Sequence, residues 1–385
     1  MKKLKIAFCI PDMIIGGTEN VFIRTLEELY KLSHLDIIVV THKKIQEPFY
    51  VNWFRAHPNI KVISILALTP YFDKSAKYTK FFPLKNIRKI IFSVYKKIKR
   101  FRFLHNRAIK DVDIFIDYKS FSFFKEFSRI SKPKLTWVHG SIKFFEDMKY
   151  IDRVQYYDKI VALSDEFVHD FQQLYPQYAD KIVHIYNPIN ISDIRRLADE
   201  NMCDLDHPYF CAVSRLDTDK DIETIINAFN EFWLAQDRPD VKLLLIGDGI
   251  KTNRLKQMSR ELEACQQIIF TGTKSIPFGY MKGSIAHILS SYREGLPTVL
   301  IEAQAVGTLN IASRCKNGVS EILLDGKAGL LFQPGDIKAL SKHMSDVYLG
   351  NIDKEIMIQN ADNGLVRFDS KTIVDSILSV IQRMI

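Results

Sequence analysis

Glu294 and Glu302 bound the segment Glu294-Gly-Leu-Pro-Thr-Val-Leu-Ile-Glu302, with seven residues between the two carboxylates. A carboxylate accepts hydrogen bonds only, so a pair of them suits the hydroxyls of a sugar. Ile288-Leu-Ser-Ser291 just before reads as a short buried strand ending in small polar residues. Pro297 fits the first turn of a helix, where its missing N–H costs nothing. Glu294 then falls in a strand-to-helix loop, and Glu302 about one and a half turns into the helix. Unpaired backbone N–H groups at a helix start favour a phosphate. Phosphate and polyol recognition together suggest a nucleotide sugar. The plain alternative is one loop acid and one solvated helix acid.

Other stretches carry compatible chemistry. Gly16-Gly-Thr-Glu-Asn-Val follows the first apolar run and opens a helix. Adjacent glycines allow close backbone approach to a ligand, but the sequence is not GxGxxG, so the dinucleotide fingerprint is absent. Arg215 and Lys220 lie at the two ends of a loop after Tyr209–Val213. Together they can neutralise a diphosphate, one as a bidentate fork and one as a point charge. Gly247 and Gly249 in Leu245-Ile-Gly-Asp-Gly249, and Gly272 in Phe270-Thr-Gly272, mark further strand-end turns. Surface cations and ordinary βα turns are the simpler readings of each stretch taken alone.

The elements that must position these residues alternate along the chain. Ile6–Ile10, Ile37–Val40, Val62–Leu66, Ile114–Asp117, Leu135–Val138 and Ile160–Leu163 read as strands. Asn20–Lys31 and Asp165–Leu174 read as helices. The second half repeats the pattern from Tyr209–Val213 to Leu309–Ala312, including helices over Lys251–Ala264 and Pro297–Val306. Apolar strands between helices imply parallel sheets covered on both faces. The expected architecture is α/β, two doubly wound Rossmann-like domains with an interdomain cleft, ligands sitting outside the carboxyl ends of the strands. A length of 385 residues accommodates two domains. The expected boundaries are 1–188, 189–368 and a C-terminal helix, 369–385. That helix either crosses back to the first domain or simply caps the second.

Five scattered cysteines form no CxxC pair, which points away from zinc or a disulfide framework and fits a reducing cytoplasm. The apolar run after the lysine-rich start is too short for a signal peptide, and no stretch of about 18 apolar residues exists to span a membrane. The net charge of +9 is local: residues 74–110 hold thirteen Lys/Arg and no acid, and the remainder carries −4. Within that segment Ile87, Ile90, Ile91, Val94, Ile98 and Phe101 recur at helical spacing, with Arg88, Lys89, Lys96, Lys97, Lys99 and Arg100 between them. A basic, aromatic, amphipathic helix suits an anionic membrane surface. The alternatives are a core-facing apolar stripe with a solvated basic face, or nucleic acid, for which no recognised motif is present.

Taken in order, VSRLDTDKDIETIINAF, LLLIGDG, IIFTGTKSIPFGYMK, ILSSYREGLPTVLIEAQAVGT and GVSEILLDGKAGLLF closely resemble the GT-B glycosyltransferases of family 4. The first half matches mainly at GGTEN and Trp137-Val-His139. The resemblance implies that Glu294 and Glu302 are the family's EX7E pair, contacting sugar hydroxyls and nucleotide ribose respectively. It implies that Arg215 and Lys220 take the diphosphate, helped by Gly17 and the Leu296, Pro297 and Thr298 stretch. It places His139 beside the donor sugar near the reacting centre. It also implies a retaining reaction and donor binding without a metal. Some positions depart from the family pattern. Ile276-Pro277 replaces a usual Asn-Pro, Ser284-Ile285 an Ala-Asp, Arg314 an Asp, and Asp221 follows Lys220 where Gly is common. The resulting expectation is a UDP-sugar hexosyltransferase with no cofactor. It would act on a lipid-linked or envelope saccharide, peripherally on the inner face of the cell membrane, without nucleic acid. The alternatives are a nucleotide-sugar epimerase of the same fold or a non-catalytic sugar- or lipid-binding scaffold.

Overall fold

The computed structural model describes residues 3–14, 16–66 and 82–385. The cations of 74–80, with Tyr78 and Phe81, lie outside the described residues, and so do the side chains of Arg88 and Lys89. Among the described residues, no helix is long and apolar enough to cross a membrane. The chain divides into two compact units. The first comprises Met1–Ala162, Phe171–Ile185 and Val374–Ile385; the second comprises Leu163–Asp170 and Tyr186–Ile373.

In the first unit seven strands form one parallel sheet, in the order β3-β2-β1-β4-β5-β6-β7. They are β1 (Leu4–Ile10), β2 (Leu35–Thr41), β3 (Lys61–Ser64), β4 (Ile114–Asp117), β5 (Lys134–Val138), β6 (Lys159–Ala162) and β7 (Ile182–His184). Residues 6–10 of β1 and all four of β4 are buried on both faces, which is why their sequences run apolar without alternation. The register Ile6↔Ile37 and Ile6↔Ile114 puts β1 between β2 and β4. Chain order reverses between β1 and β4, and that switch point opens a crevice at the carboxyl edge. Under it Phe8, Phe22 and Tyr118 pack, with the last two rings 5.0 Å apart.

The second unit repeats the plan with six strands, in the order β10-β9-β8-β11-β12-β13. They are β8 (Tyr209–Val213), β9 (Lys242–Ile246), β10 (Ile268–Gly272), β11 (His287–Leu289), β12 (Asn310–Ser313) and β13 (Leu330–Phe332). Here the switch point falls between β8 and β11. Ile189 and Asp369 form a parallel bridge, so the entry and exit of this unit are clipped together. The last helix, Ser370–Met384, starts there.

Several elements differ from the sequence reading. The edge strand β13 was not anticipated; at three residues it is too short for a period to register. The helix expected over Lys251–Ala264 ends at Arg260, and a 3-10 turn, Glu263–Gln267, follows because Asn230 Oδ1 accepts from the Ala264 N–H at 3.0 Å. The strand expected over Val62–Leu66 is regular over Lys61–Ser64, and the Ile65 and Leu66 N–H groups carry the ladder on to the Thr41 and His42 carbonyls at 2.8 Å.

Candidate functional site

The carboxyl edge of β8 and β11 collects most of the residues singled out by type. After β8 the backbone runs through Ser214 to Asp217 against the loop that follows β9. Gly247 has φ +142°, and a Cβ there would stand 1.9 Å from the Ser214 carbonyl oxygen. A Cβ on Gly249 would meet the Leu216 carbonyl at 2.6 Å. Both glycines therefore shape the loop that presents Arg215, because any side chain would push the two loops apart. Arg215 itself is 75% exposed and ion-paired with Asp217. Gly272 closes β10 with φ +72°, its carbonyl accepting from the Gly247 N–H at 3.0 Å.

A short turn, Thr218–Lys220, leads to Asp221 in the left-handed region at φ +47°. Asparagine and aspartate tolerate this region because a short polar side chain can bond locally. Thr224 Oγ1 donates to Asp221 Oδ2 at 2.6 Å, which gives the aspartate such a local bond. Ser290 Oγ donates to the carbonyls of both Lys220 and Asp221, at 2.7 and 2.8 Å, and so ties the end of β11 to this turn. Lys220 Nζ then reaches Glu294 Oε1 at 2.5 Å, and Ser291 Oγ reaches the same oxygen at 2.6 Å. Both charged side chains are largely shielded, at 18% and 11% exposed. Among the described residues no hydrogen bond takes Glu294 Oε2, which leaves an oriented acceptor. Ser290 and Ser291 had no role in the sequence reading beyond small polar residues ending a strand.

Leu296 and Pro297 are buried, and the helix Thr298–Ala305 begins with no side-chain cap on its N–H groups. Glu302 is its fifth residue, half-buried. Arg293 extends the cationic rim by pairing with Asp219 at 3.0 Å. Cys315, buried beside this group, has its thiol pushed up to about 12 by burial first and then by the Glu294 charge, so it stays protonated. Arg314 points elsewhere, 3.6 Å from Asp325. The arrangement offers cations and free amides for a diphosphate and an aimed carboxylate for hydroxyls.

His139, Gly16 and Gly17 belong to the first unit. Gly16 precedes and Gly17 begins the helix Gly17–Tyr30, and a Cβ on Gly17 would meet nothing within 4 Å. His139 follows β5, with its N–H donating to Ser120 Oγ at 3.3 Å and its ring 5.1 Å from that of Tyr118. Burial, with Lys119 adding to it, lowers its pKa to about 4 against a bond to the Tyr118 backbone. The ring is therefore neutral near pH 7. Its Nε2 is shielded and has no partner among the described residues.

The basic segment forms the helix Phe82–Leu104. Val94, Ile98 and Phe101, one stripe at i, i+4 and i+7, are 49%, 53% and 58% exposed. Those three face outward, and among the described side chains of this helix Phe103, 4% exposed, packs inward; the side chains of Ile87, Ile90 and Ile91 lie outside the described residues. Lys97 is exposed, and Lys96 and Lys99 half-buried. Arg100 turns inward and donates from Nε to Glu126 Oε1 at 2.6 Å. Its charge is thus committed to a fully buried carboxylate, a contact between positions 26 apart that no local pattern signals.

Residues 193–364 match the family described as Glycosyl transferases group 1. Over its length the chain is similar to an uncharacterized glycosyltransferase of Haemophilus influenzae, 26% identical across 93% of both chains. It is also 26% identical to lipopolysaccharide 1,6-galactosyltransferase of Salmonella typhimurium, covering 72% of this chain and 76% of that one. Among solved structures, Anabaena HepE in complex with UDP and glucose superposes with a TM-score of 0.71 at 18% identity, over 99% of this chain and all of that one. Two parallel-sheet α/β units of this order are the GT-B fold.

Proposed function

We infer that this enzyme, a hexosyltransferase of GT-B fold, takes its sugar from a UDP-sugar and delivers it to a lipid-linked or envelope saccharide. The observation that carries the reading is the Lys220–Glu294–Ser291 group at the switch point of the second unit, beside an uncapped helix start. It lies inside the stretch that matches a glycosyltransferase family. A UDP donor is supported by the likeness to a structure holding UDP and glucose, and an envelope acceptor by the likeness to a lipopolysaccharide galactosyltransferase.

Breaking the bond from the anomeric carbon to the diphosphate develops negative charge on the leaving group. Arg215, Lys220 and the backbone N–H groups of Leu296 and Thr298 at the helix start stabilise that charge where it forms, without a metal. Glu294 Oε2 accepts from sugar hydroxyls, Glu302 from the nucleotide ribose, and neutral His139 from a hydroxyl near the reacting carbon. The family-4 resemblance supports a retaining outcome, in which the leaving phosphate oxygen takes the acceptor proton. The outward stripe of Val94, Ile98 and Phe101 with exposed Lys97 and Arg102 beside it suits an anionic membrane, on the inner face of which the enzyme docks. Release of UDP across a panel of UDP- and GDP-hexoses tests the reading. Turnover confined to UDP donors is expected; interconversion of the nucleotide sugar without transfer would replace it with the epimerase, and no donor binding at all with the scaffold.

A further inference from the structure

The first unit carries a second polar group at its own switch point, which the donor chemistry does not use. Asp12 follows β1, Glu19 stands in the first turn of Gly17–Tyr30, and Lys119 follows β4. Lys119 Nζ donates to Glu19 Oε1 at 2.7 Å and to Asp12 Oδ1 at 3.2 Å. Glu19 is 3% exposed, an unusual place for a carboxylate without a reason to be there. A Cβ on Gly16 would come within 2.8 Å of Glu19 Oε2, so the glycine leaves room for that oxygen. Among the described residues no hydrogen bond takes Glu19 Oε2, and Asp12 Oδ2 has only Lys43 Nζ, at 3.6 Å. His139 is the electrostatic neighbour of Lys119, and its unpartnered Nε2 is a third shielded acceptor.

The group is thus rich in acceptors, and its central cation is already spoken for. Hydroxyls, which donate, complete it. A phosphate or carboxylate, which brings only acceptors at neutral pH, meets two carboxylates that already engage their neighbouring cations, Lys119 and Lys43. We propose that Asp12, Glu19 and Lys119 form a specificity-determining subsite for the uncharged, hydroxyl-bearing end of the acceptor saccharide, and that it excludes a phosphorylated or carboxylated sugar there. This rests on the glycosyltransferase reading and names the acceptor class of that activity. Burial works against the charge on Lys119, but Glu19 first and then Asp12 outweigh it and hold the ammonium above its usual range, so the ion triad persists through neutral pH.

The probes are octyl β-glucoside, octyl β-galactoside, octyl α-mannoside and octyl β-glucoside 6-phosphate. Saturation-transfer NMR reads their binding, and calorimetry reads UDP binding to the same preparations. Wild type is expected to bind at least one neutral hexoside, and the 6-phosphate roughly 10-fold or more weakly, the loss of about one charged hydrogen bond. Glu19→Gln weakens the neutral hexoside and frees Lys119, so preference shifts toward the phosphate. Lys119→Arg retains the wild-type order, and UDP affinity stays unchanged in both. A merely structural role for Glu19 would weaken all probes together and leave their order alone. Equal or tighter binding of the 6-phosphate by wild type, no binding of any neutral hexoside, or an unmoved order in Glu19→Gln would each overturn the subsite. Loss of UDP binding by wild type would instead strike the donor reading, with the hexoside order still deciding this one.

Discussion

Replacing Arg100 by methionine isolates a buried electrostatic contact of the first unit. Glu126 is 1% exposed, and its Oε1 receives Arg100 Nε at 2.6 Å, with His42 Nε2 next at 3.5 Å. His42 is held there by stacking on Phe123, ring centroids 4.0 Å apart. Methionine keeps much of the apolar stem of Arg100 and removes the guanidinium. The carboxylate then stays buried with His42 alone, and removing one partner of a buried pair costs about 3–5 kcal/mol. For a unit of this size, that lowers Tm by roughly 6–20 °C, read by calorimetry or near-UV circular dichroism. The pH dependence follows from the carboxyl. Burial pushes its pKa up, but His42 and Arg100 outweigh this and hold it below the ordinary value. A depressed folded pKa gives stability that is present above the unfolded value, about 4.3, and is lost as pH falls through the folded one. In Arg100→Met burial still raises the carboxyl and only His42 opposes it, so the folded pKa moves up from its wild-type position and protonation relieves the variant. Its deficit against wild type should narrow as pH falls through that raised value. Adding Glu126→Met removes the stranded charge and should recover most of the loss. A single variant within about 1 kcal/mol of wild type at pH 7, or a double variant no more stable than the single, would refute the reasoning.

Glu294→Ala and Lys220→Ala should each lower kcat/KM by 100-fold or more, on the order of two charged hydrogen bonds, when assayed below a melting transition that loss of the shielded pair lowers; near-normal turnover in either would sink the donor assignment. EDTA should leave UDP-sugar affinity unchanged, and a loss restored by Mg²⁺ or Mn²⁺ would show that a metal shares the diphosphate with Arg215 and Lys220. Lys96, Lys97 and Lys99→Gln should reduce binding to anionic liposomes without changing UDP affinity, and the wild-type binding should weaken with salt as exposed charges are screened within ~10 Å; Arg100 is left in place because Glu126 needs it. Wild type that ignores anionic liposomes at low salt would return this helix to a solvated face. Asp221→Gly should be better tolerated than Asp221→Ala by about 1–2 kcal/mol in chemical denaturation, because φ +47° strains any Cβ and alanine has no carboxylate for Thr224; equal losses would mean the side-chain bond alone matters.

The sequence by itself determined the α/β alternation, because strands buried on both faces must read as unbroken apolar runs, and β1 and β4 do. It also determined which residues share a βα loop: Glu294 and Glu302 keep their spacing across a turn that Pro297 permits, and Ser290 and Ser291 end the strand before it. Strand order was beyond it, since reversal between β1 and β4 and between β8 and β11 depends on which edge each crossover returns to. So were the contacts that make the sites. Lys220 meets Glu294 across 74 positions, and Lys119 meets Glu19 across 100. Neither pairing has a local signature, because an ion pair needs only proximity in space. The stripe of Val94, Ile98 and Phe101 shows the same divide. A period of 3.6 tells which side chains share a face, but the packing of Phe103 and the pull of buried Glu126 on Arg100 decide that this face turns away from the core.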